Sequence, residues 1–545
     1  MATEYVDAEV DPEELNTYFP DSTTTSMPLV FINSFKATIP NEPKIISSLG
    51  IIDGPNGDNR PPTGIIREDM FDFFSGIGIE VQGASTLAFE KEGFSIEFQN
   101  LTLLQSTLNS TNNLFSSFIL NKRLLDANQA TVDLDVALPL LGMPEEEDWI
   151  AKGPFIDRTY IRNALSFDLS SKMGAPYAPK TRFAELYITD QRDNSTPEMY
   201  HYHGLYVFTE KIKRDKNRID INKLKDTEDP LDGGYIIAVD NPKGVKGEGW
   251  NSNITSLTSE LGNAYPLYTE YLYEHPKNDD ITDAQKKHIQ DFMYSFEQAV
   301  FTHGDYGTYI DLDSFADYFL LTELSKNPDG YRHSTFFFKD KGADAKLKAG
   351  PVWDFNEAYG NTAKCDAIKT DGWQFLCGYN YPSDDSLPVP GWWAELAKDD
   401  TFARKLDERW TYHRQTGRVF DTNRIRSDAL ARASALKDSG AVIRDQMRWK
   451  TAAVNIPPGL QSSNLLQEFT PNAIHTYYDK EVDKMLEYLE ARVHWMDTNL
   501  PSASNSFAIE GVPPQTDAAM STTEAAGGLT MFFALVTVLL SNKFF

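Results

Sequence analysis

Cysteine is almost missing from this sequence: 545 residues contain two, Cys365 and Cys377. No CxxC and no paired histidines lie beside them, so they do not read as a zinc site. They flank the segment DAIKTDGWQFL. In an oxidising compartment they could close a small loop; in the cytosol the same spacing reads as two buried thiols. Basic residues are scarce too, with 51 Lys and Arg against 80 Asp and Glu and a formal net charge of −29. Such a surface repels phosphate backbones, so nucleic acid is not an expected partner. The one basic run, KIKRDKNRIDINKLK from Lys211 to Lys225, reads as a solvated face.

Long apolar runs are missing until the end of the chain. Leu529 to Leu540 (LTMFFALVTVLL) spans twelve residues, fewer than the roughly 20 a bilayer span needs. A Ser, Thr, Pro and Ala linker (501–528) precedes it. The order Asp517-Ala518-Ala519, polar spacer, apolar tail fits a GPI signal, with a single-span anchor (529–545) as the alternative. At the other end, Met1 to Met27 is acidic and rich in Thr and Ser. It lacks the basic and apolar regions of a signal peptide and is expected to be a disordered tail. Four N-x-[ST] sequons, at Asn100, Asn109, Asn194 and Asn253, point toward the secretory pathway. The expected location is therefore extracellular or at the cell surface, held to the membrane through the C-terminus.

What the chain does have is core-forming material, 41% hydrophobic and 12% aromatic residues. Strand patterns dominate from Pro28 onward: 29–32, 45–52, 76–82, 182–190, 202–209 and 233–240. Ile161 to Met173 carries a mostly helical apolar rhythm with Gly174 as C-cap. Later segments read as helices over 284–303, 314–325, 392–414, 424–449 and 472–500. In the last, Val482, Met485, Leu486, Leu489, Val493 and Met496 fall on one stripe. The Gly- and Asn-rich stretch 243–260 reads as a long loop and a candidate lid.

Two acids stand out in the stretch from Glu323 to Asn361. Asp329 sits in a Pro-Asp-Gly turn, where those residue types set the backbone. Thr335 to Phe338 then reads as a strand, 342–344 as a hairpin turn, and Lys346 to Val352 as the return strand. Asp354 follows in Trp353-Asp354-Phe355-Asn356. A hairpin thus folds the two acids together. Phosphoryl transfer needs such a pair, one carboxylate to orient or deprotonate the attacking hydroxyl and one to hold Mg²⁺ against nucleotide phosphates. Read singly, Asp329 is a turn former and Asp354 a cap.

The stretch resembles the core of the CotH kinase family, named for spore coat protein H. Asn327-Pro328-Asp329, Lys339-Asp340 and the run GPVWDFNEAYGN (Gly350 to Asn361) carry the likeness. The resemblance implies an α+β, two-lobed, atypical kinase-like fold, with a strand-rich lobe over 28–245 and a mostly helical lobe over 246–500. It implies ATP and Mg²⁺ as cofactors and a coat, wall or surface protein as phosphoryl acceptor. Asp329 takes the catalytic role and Asp354 the metal role, with Asn327 and Arg162 in support. Gly83, Ser85 and Lys91, matching G-x-S and the lysine that follows it, and Glu210, closing GLYVFTE, are the nucleotide-binding expectations. Glu90 and Glu92 depart from the family's Pro and second Lys. Kinases place a metal-binding Asn five residues after the catalytic Asp; here Ser334 stands there, whose hydroxyl can also ligate Mg²⁺. Some proteins resembling this family act as surface ligands, so an adhesin, invasin or structural coat role is the alternative.

Overall fold

The computed structural model describes residues 24–35, 37–62, 67–83, 89–100, 134–189, 200–225, 229–240, 249–252, 254, 269–377, 387, 389–453, 466 and 468–500. The N-terminal tail, the C-terminal linker and apolar tail, Ser85, three of the four sequons (Asn109, Asn194, Asn253) and most of the candidate lid lie outside these residues. Among the described residues, no helix is long and apolar enough to cross a membrane.

Nine strands are described up to residue 210: β1 (Leu29–Asn33), β2 (Ile45–Ile52), β3 (Phe73–Gln82), β4 (Gly93–Gln99), β5 (Leu138–Leu140), β6 (Met143–Glu146), β7 (Asp148–Lys152), β8 (Thr181–Thr189) and β9 (Tyr200–Glu210). Seven of them close into a barrel in the order β1-β2-β3-β4-β7-β9-β8. Neighbours are antiparallel except β1 and β8, whose parallel pairing (Leu29 opposite Glu185) closes the ring. Alternate residues such as Val30, Ile32, Ile77, Ile79, Ile96, Phe98, Trp149, Leu186 and Phe208 fill the interior. Each fully buried side chain of this kind contributes about 1.5–3 kcal/mol, which is why a period of two decides which face turns inward.

The second sheet is antiparallel, with order β11-β12-β10-β13-β14. It takes β10 (Tyr235–Val239), β11 (Gly249–Asn251), β12 (Glu270–His275), β13 (Thr335–Lys339) and β14 (Lys348–Ala349). The expected hairpin is its edge, with Phe337 opposite Ala349. Eight α-helices are described: α1 (Arg162–Met173), α2 (Asp283–Phe301), α3 (Leu312–Ser325), α4 (Gly391–Lys398), α5 (Asp400–Arg414), α6 (Thr422–Asp438), α7 (Ala441–Trp449) and α8 (Pro471–Asn499). Phe315, Phe319, Phe337, Trp392 and Trp393 form the centre of the helical core. The stripe foreseen on α8, from Val482 to Met496, is buried there.

The α+β class holds. The first sheet closes into a barrel. Helix α1, expected among the early strands, packs its Ile161, Leu165, Phe167 and Leu169 into the same core as the late helices. Two expected long helices are each broken. Asp399 ends α4 and caps α5, accepting from the backbone N–H of Thr401 and Phe402. Gly440, at φ +75°, turns the chain between α6 and α7 in a left-handed conformation suited to glycine.

Candidate functional site

Helix α3 ends where Lys326 turns left-handed (φ 44°). That conformation is uncommon for a side chain with a Cβ, and side-chain bonds hold it. Lys326 Nζ donates to the carbonyls of Asp366 (3.0 Å) and Asp371 (2.6 Å). Both carbonyls belong to the segment closed by a disulfide between Cys365 and Cys377. Burial holds the Lys326 ammonium down to about 8, with Arg492 adding to the effect. Beneath it, Glu323 and Arg492 form a fully buried ion pair at 3.2 Å. Arg492 also donates to the carbonyls of Thr370 and Gly372, and Glu323 accepts from the N–H groups of Gln374 and Phe375. The disulfide segment is thus fastened under the turn that follows α3.

That turn is Asn327-Pro328-Asp329-Gly330. Gly330 N–H donates to Asn327 O at 3.1 Å. A Cβ on Gly330 would come within 2.5 Å of Thr322 Cγ2, so the close approach of the turn to α3 requires glycine. Asp329 keeps a partly exposed carboxylate, 3.9 Å from the Arg332 guanidinium. The chain then runs through β13 and β14 and returns to Asp354.

Asp354 also takes a left-handed backbone, φ 59°. Two asparagines fix the peptides around it. Asn327 Nδ2 donates to Asp354 O at 3.2 Å, and Phe355 N–H donates to Asn163 Oδ1 of α1 at 2.7 Å. The neighbouring Arg162 joins Asp157 at 2.5 Å and donates to Ala358 O at 3.0 Å. Asn327 therefore ties the turn that carries Asp329 to the peptide of Asp354, and α1 holds the strand end in place. From the barrel, Lys152 at the end of β7 reaches Asp354 Oδ1 with its Nζ at 2.8 Å. Its ammonium lies over the Trp353 ring, 4.3 Å from the centroid, and that ring stacks on Phe167. Glu357 completes the acidic cluster. Burial chiefly, then the charge of Asp329, pushes its carboxyl up, Lys364 pulls it back, and Asp354 adds a further upward push.

The other expected residues have partners of their own or a constrained backbone. Lys91 is fully buried and bonded to Asp445 of α7 at 2.5 Å, with the Tyr160 and Tyr206 rings alongside. Burial lowers its pKa against the opposing pull of Asp445. Glu210 is fully buried against Arg218 at 2.8 Å and accepts Lys180 N–H. Gly83 ends β3 at φ 116°. Ser334 is half-buried and left-handed (φ 48°) just ahead of β13. Its neighbour His333 stands 3.6 Å from Asp240. Lys152 was missed. Its only signal is a cation closing the apolar strand WIAK, and nothing local ties that strand to Asp354. Glu357 lies inside GPVWDFNEAYGN but carried no assigned role.

The donors around Asp354 are oxygens: two carboxylates beside its own and the Asn327 amide. Two of them, Glu357 Oε2 and Asn327 Oδ1, are buried without a hydrogen-bond partner. An all-oxygen, acidic set with spare acceptors fits a hard cation such as Mg²⁺.

A barrel and a helical half that meet at an acidic cluster, with the acids delivered by a hairpin, define an α+β protein whose centre is the Asp329–Asp354 hairpin. The family described as CotH kinase protein matches residues 79–496, most of the chain, and the protein belongs to that family. No curated protein matches it.

Proposed function

We propose that the protein transfers the γ-phosphoryl group of ATP to a Ser or Thr hydroxyl of a protein substrate, with Mg²⁺. The observation that carries this reading is the tie between the Asp329 turn and Asp354, through Asn327 Nδ2 on the Asp354 carbonyl, with Lys152 on the Asp354 carboxylate. Bound Mg²⁺–ATP supplies the transferable phosphoryl group. Asp354 is the residue that would hold the ion. Asp329, on a rigid turn and partly open to solvent, accepts the hydrogen bond of the incoming hydroxyl and orients it. Lys152 is the partly exposed cation beside the metal carboxylate, suited to phosphate oxygens once Asp354 turns to the ion. Lys91 and Glu210 are enclosed in protein ion pairs, so in this reading they support the barrel and Lys152 does the work first expected of Lys91. The experiment is phosphorylation of a generic protein acceptor with labelled ATP over a Mg²⁺ titration.

The same burial of Lys91 and Glu210 favours a second reading, a kinase scaffold that serves as a surface ligand or coat component. Absence of ATP binding at every Mg²⁺ concentration decides for it. Attachment to the cell surface through the C-terminal tail rests on the order of residues in 517–540. Release from cells by phospholipase supports it, and a mature protein that retains Phe544 and Phe545 overturns the GPI form.

A further inference from the structure

We propose that Glu357 is a ligand of the divalent cation, completing with Asp354 and the Asn327 amide oxygen an oxygen site that does not need Ser334. The proposal rests on the phosphoryl-transfer reading and deepens it. Glu357 is 7% exposed. Its Oε1 accepts from Lys364 Nζ at 2.9 Å, while its Oε2 is buried with no partner. Asn327 is fully buried; its Nδ2 is committed to Asp354 O, and its Oδ1 has no partner.

An unmet buried polar group costs about 1–3 kcal/mol. Both unmet atoms here are acceptors, and both belong to side chains that adjoin Asp354 or respond to its charge. A cation satisfies acceptors alone, whereas a water would have to spend both its hydrogens on them. Among the charges acting on Glu357, Asp329 outranks even the bonded Lys364, and Asp354 acts in the same direction. Against these three acids stand Lys152, Lys364 and Arg332, yet none of the three bonds Glu357 Oε2 or Asn327 Oδ1. Asp329, Asp354 and Glu357 do not all offer ligand atoms within 4.8 Å of one another, and Asp329 is not among the proposed ligands. Among the described residues, the acidic triple whose ligand atoms all lie within 4.8 Å is Glu146, Glu147 and Asp148. That cluster is already occupied: Lys213 bonds all three residues at 2.7–2.8 Å. At the site, Asp354 is held by Lys152, so entry of the ion exchanges that contact for the metal. Position 357 falls where the CotH-like motif leaves the residue open, so the motif alone gives it no role.

The test uses the full chain and Mn²⁺, read by electron paramagnetic resonance with and without a non-hydrolysable ATP analogue, and needs no turnover. Glu357→Gln is expected to raise the Mn²⁺ dissociation constant about tenfold or more, at least what an outer-shell partner is worth. Lys364→Met is expected to leave it unchanged or lower it, because it frees Glu357 for the ion. Melting curves in EDTA establish that each variant is folded. If Glu357 serves only its ion pair, Glu357→Gln leaves Mn²⁺ affinity intact and both variants lower the melting temperature alike. That outcome, with Asp354→Asn still abolishing binding, overturns the proposal and spares the reading beneath it. Weaker Mn²⁺ binding by Lys364→Met also overturns it. A wild-type protein that binds no Mn²⁺ in either condition overturns both.

Discussion

Lys152 and Asp354 stand 202 residues apart in sequence and meet at 2.8 Å, the one on a barrel strand and the other at the end of the second sheet's hairpin. Their contact joins the two halves of the protein at the point where its acids gather. Both side chains are partly exposed, so the pair adds little to stability, on the order of 1 kcal/mol or less. Its value lies in position. Lys152→Met is expected to lower kcat/KM for phosphoryl transfer on the order of 100-fold, the loss typical of one removed electrostatic stabiliser. The melting temperature should hardly change. Equal turnover by this variant and the wild type removes Lys152 from the site.

Asp329 and Asp354 should fail differently. Asp354→Asn is expected to abolish Mg²⁺-dependent nucleotide binding. Asp329→Asn should keep binding and lose turnover by about 10²–10⁴-fold, the range of a general-base contribution. Calorimetric titration beside the kinase assay separates the two. Undiminished phosphorylation by either variant defeats the assignment.

How far the sequence reveals this site depends on distance along the chain. The hairpin and the GPVWDFN run are local, and they read correctly because turn and strand chemistry act over a few residues. Helix α8 was legible for the same reason, its stripe recurring along one face. The breaks at Asp399 and Gly440 carry local signals too, an acidic N-cap and a glycine, but the continuous apolar rhythm masked them. Closure of the barrel depends on β1 lying parallel to β8, a pairing across more than a hundred residues that alternation alone cannot encode. Lys91 shows the same limit. A lysine after a G-x-S turn looks solvent-facing until Asp445, 354 residues on, arrives to bury it.

That buried pair gives a stability prediction. Lys91→Met leaves Asp445 enclosed without its counter-charge and is expected to cost about 3–5 kcal/mol. Lys91→Met combined with Asp445→Leu should recover much of the loss, since an apolar pair of similar volume replaces both ions. Denaturant melts of the single and double variants measure the difference. Additive losses in the double variant contradict the pairing as the cause.

Glu297 gives a pH prediction. It is buried in α2, accepting from Ser252 Oγ and Tyr271 OH, and burial pushes its carboxyl up to about 7. The folded chain therefore holds a proton that the unfolded chain releases near 4.5. The stabilisation is complete below about 4.5 and is lost as pH rises toward 7, with a slope of up to roughly 1.4 kcal/mol per pH unit. Glu297→Gln should flatten this part of the stability profile, gaining on the wild type at pH 8 relative to pH 4.5. Parallel profiles for the two proteins across that range would falsify the assignment.

The disulfide segment is expected to matter for both stability and turnover. Closing a loop of this size is worth about 3 kcal/mol in the chain-entropy account. The carbonyls of the loop also hold Lys326 and Arg492 below the Asp329 turn. Cys365→Ser with Cys377→Ser should lower the melting temperature and also slow turnover, whereas loss of stability alone disconnects the loop from the turn.

Helix α7 has a consequence for how the protein is made. Arg444 and Asp445 supply the counter-charges for Glu185 and Lys91 in the barrel wall, and Asp445 also accepts Leu205 N–H. During synthesis every barrel strand has left the ribosome long before those two residues do. Until then the nascent barrel carries an enclosed acid and an enclosed amine without partners. Its strands must therefore wait, loosely assembled, for a helix more than two hundred residues downstream. A chain stopped at Gly440 should be open to protease in β8 and β9, and one extended through α7 should not. The last fifth of the chain sets the time at which its first half becomes a finished structure.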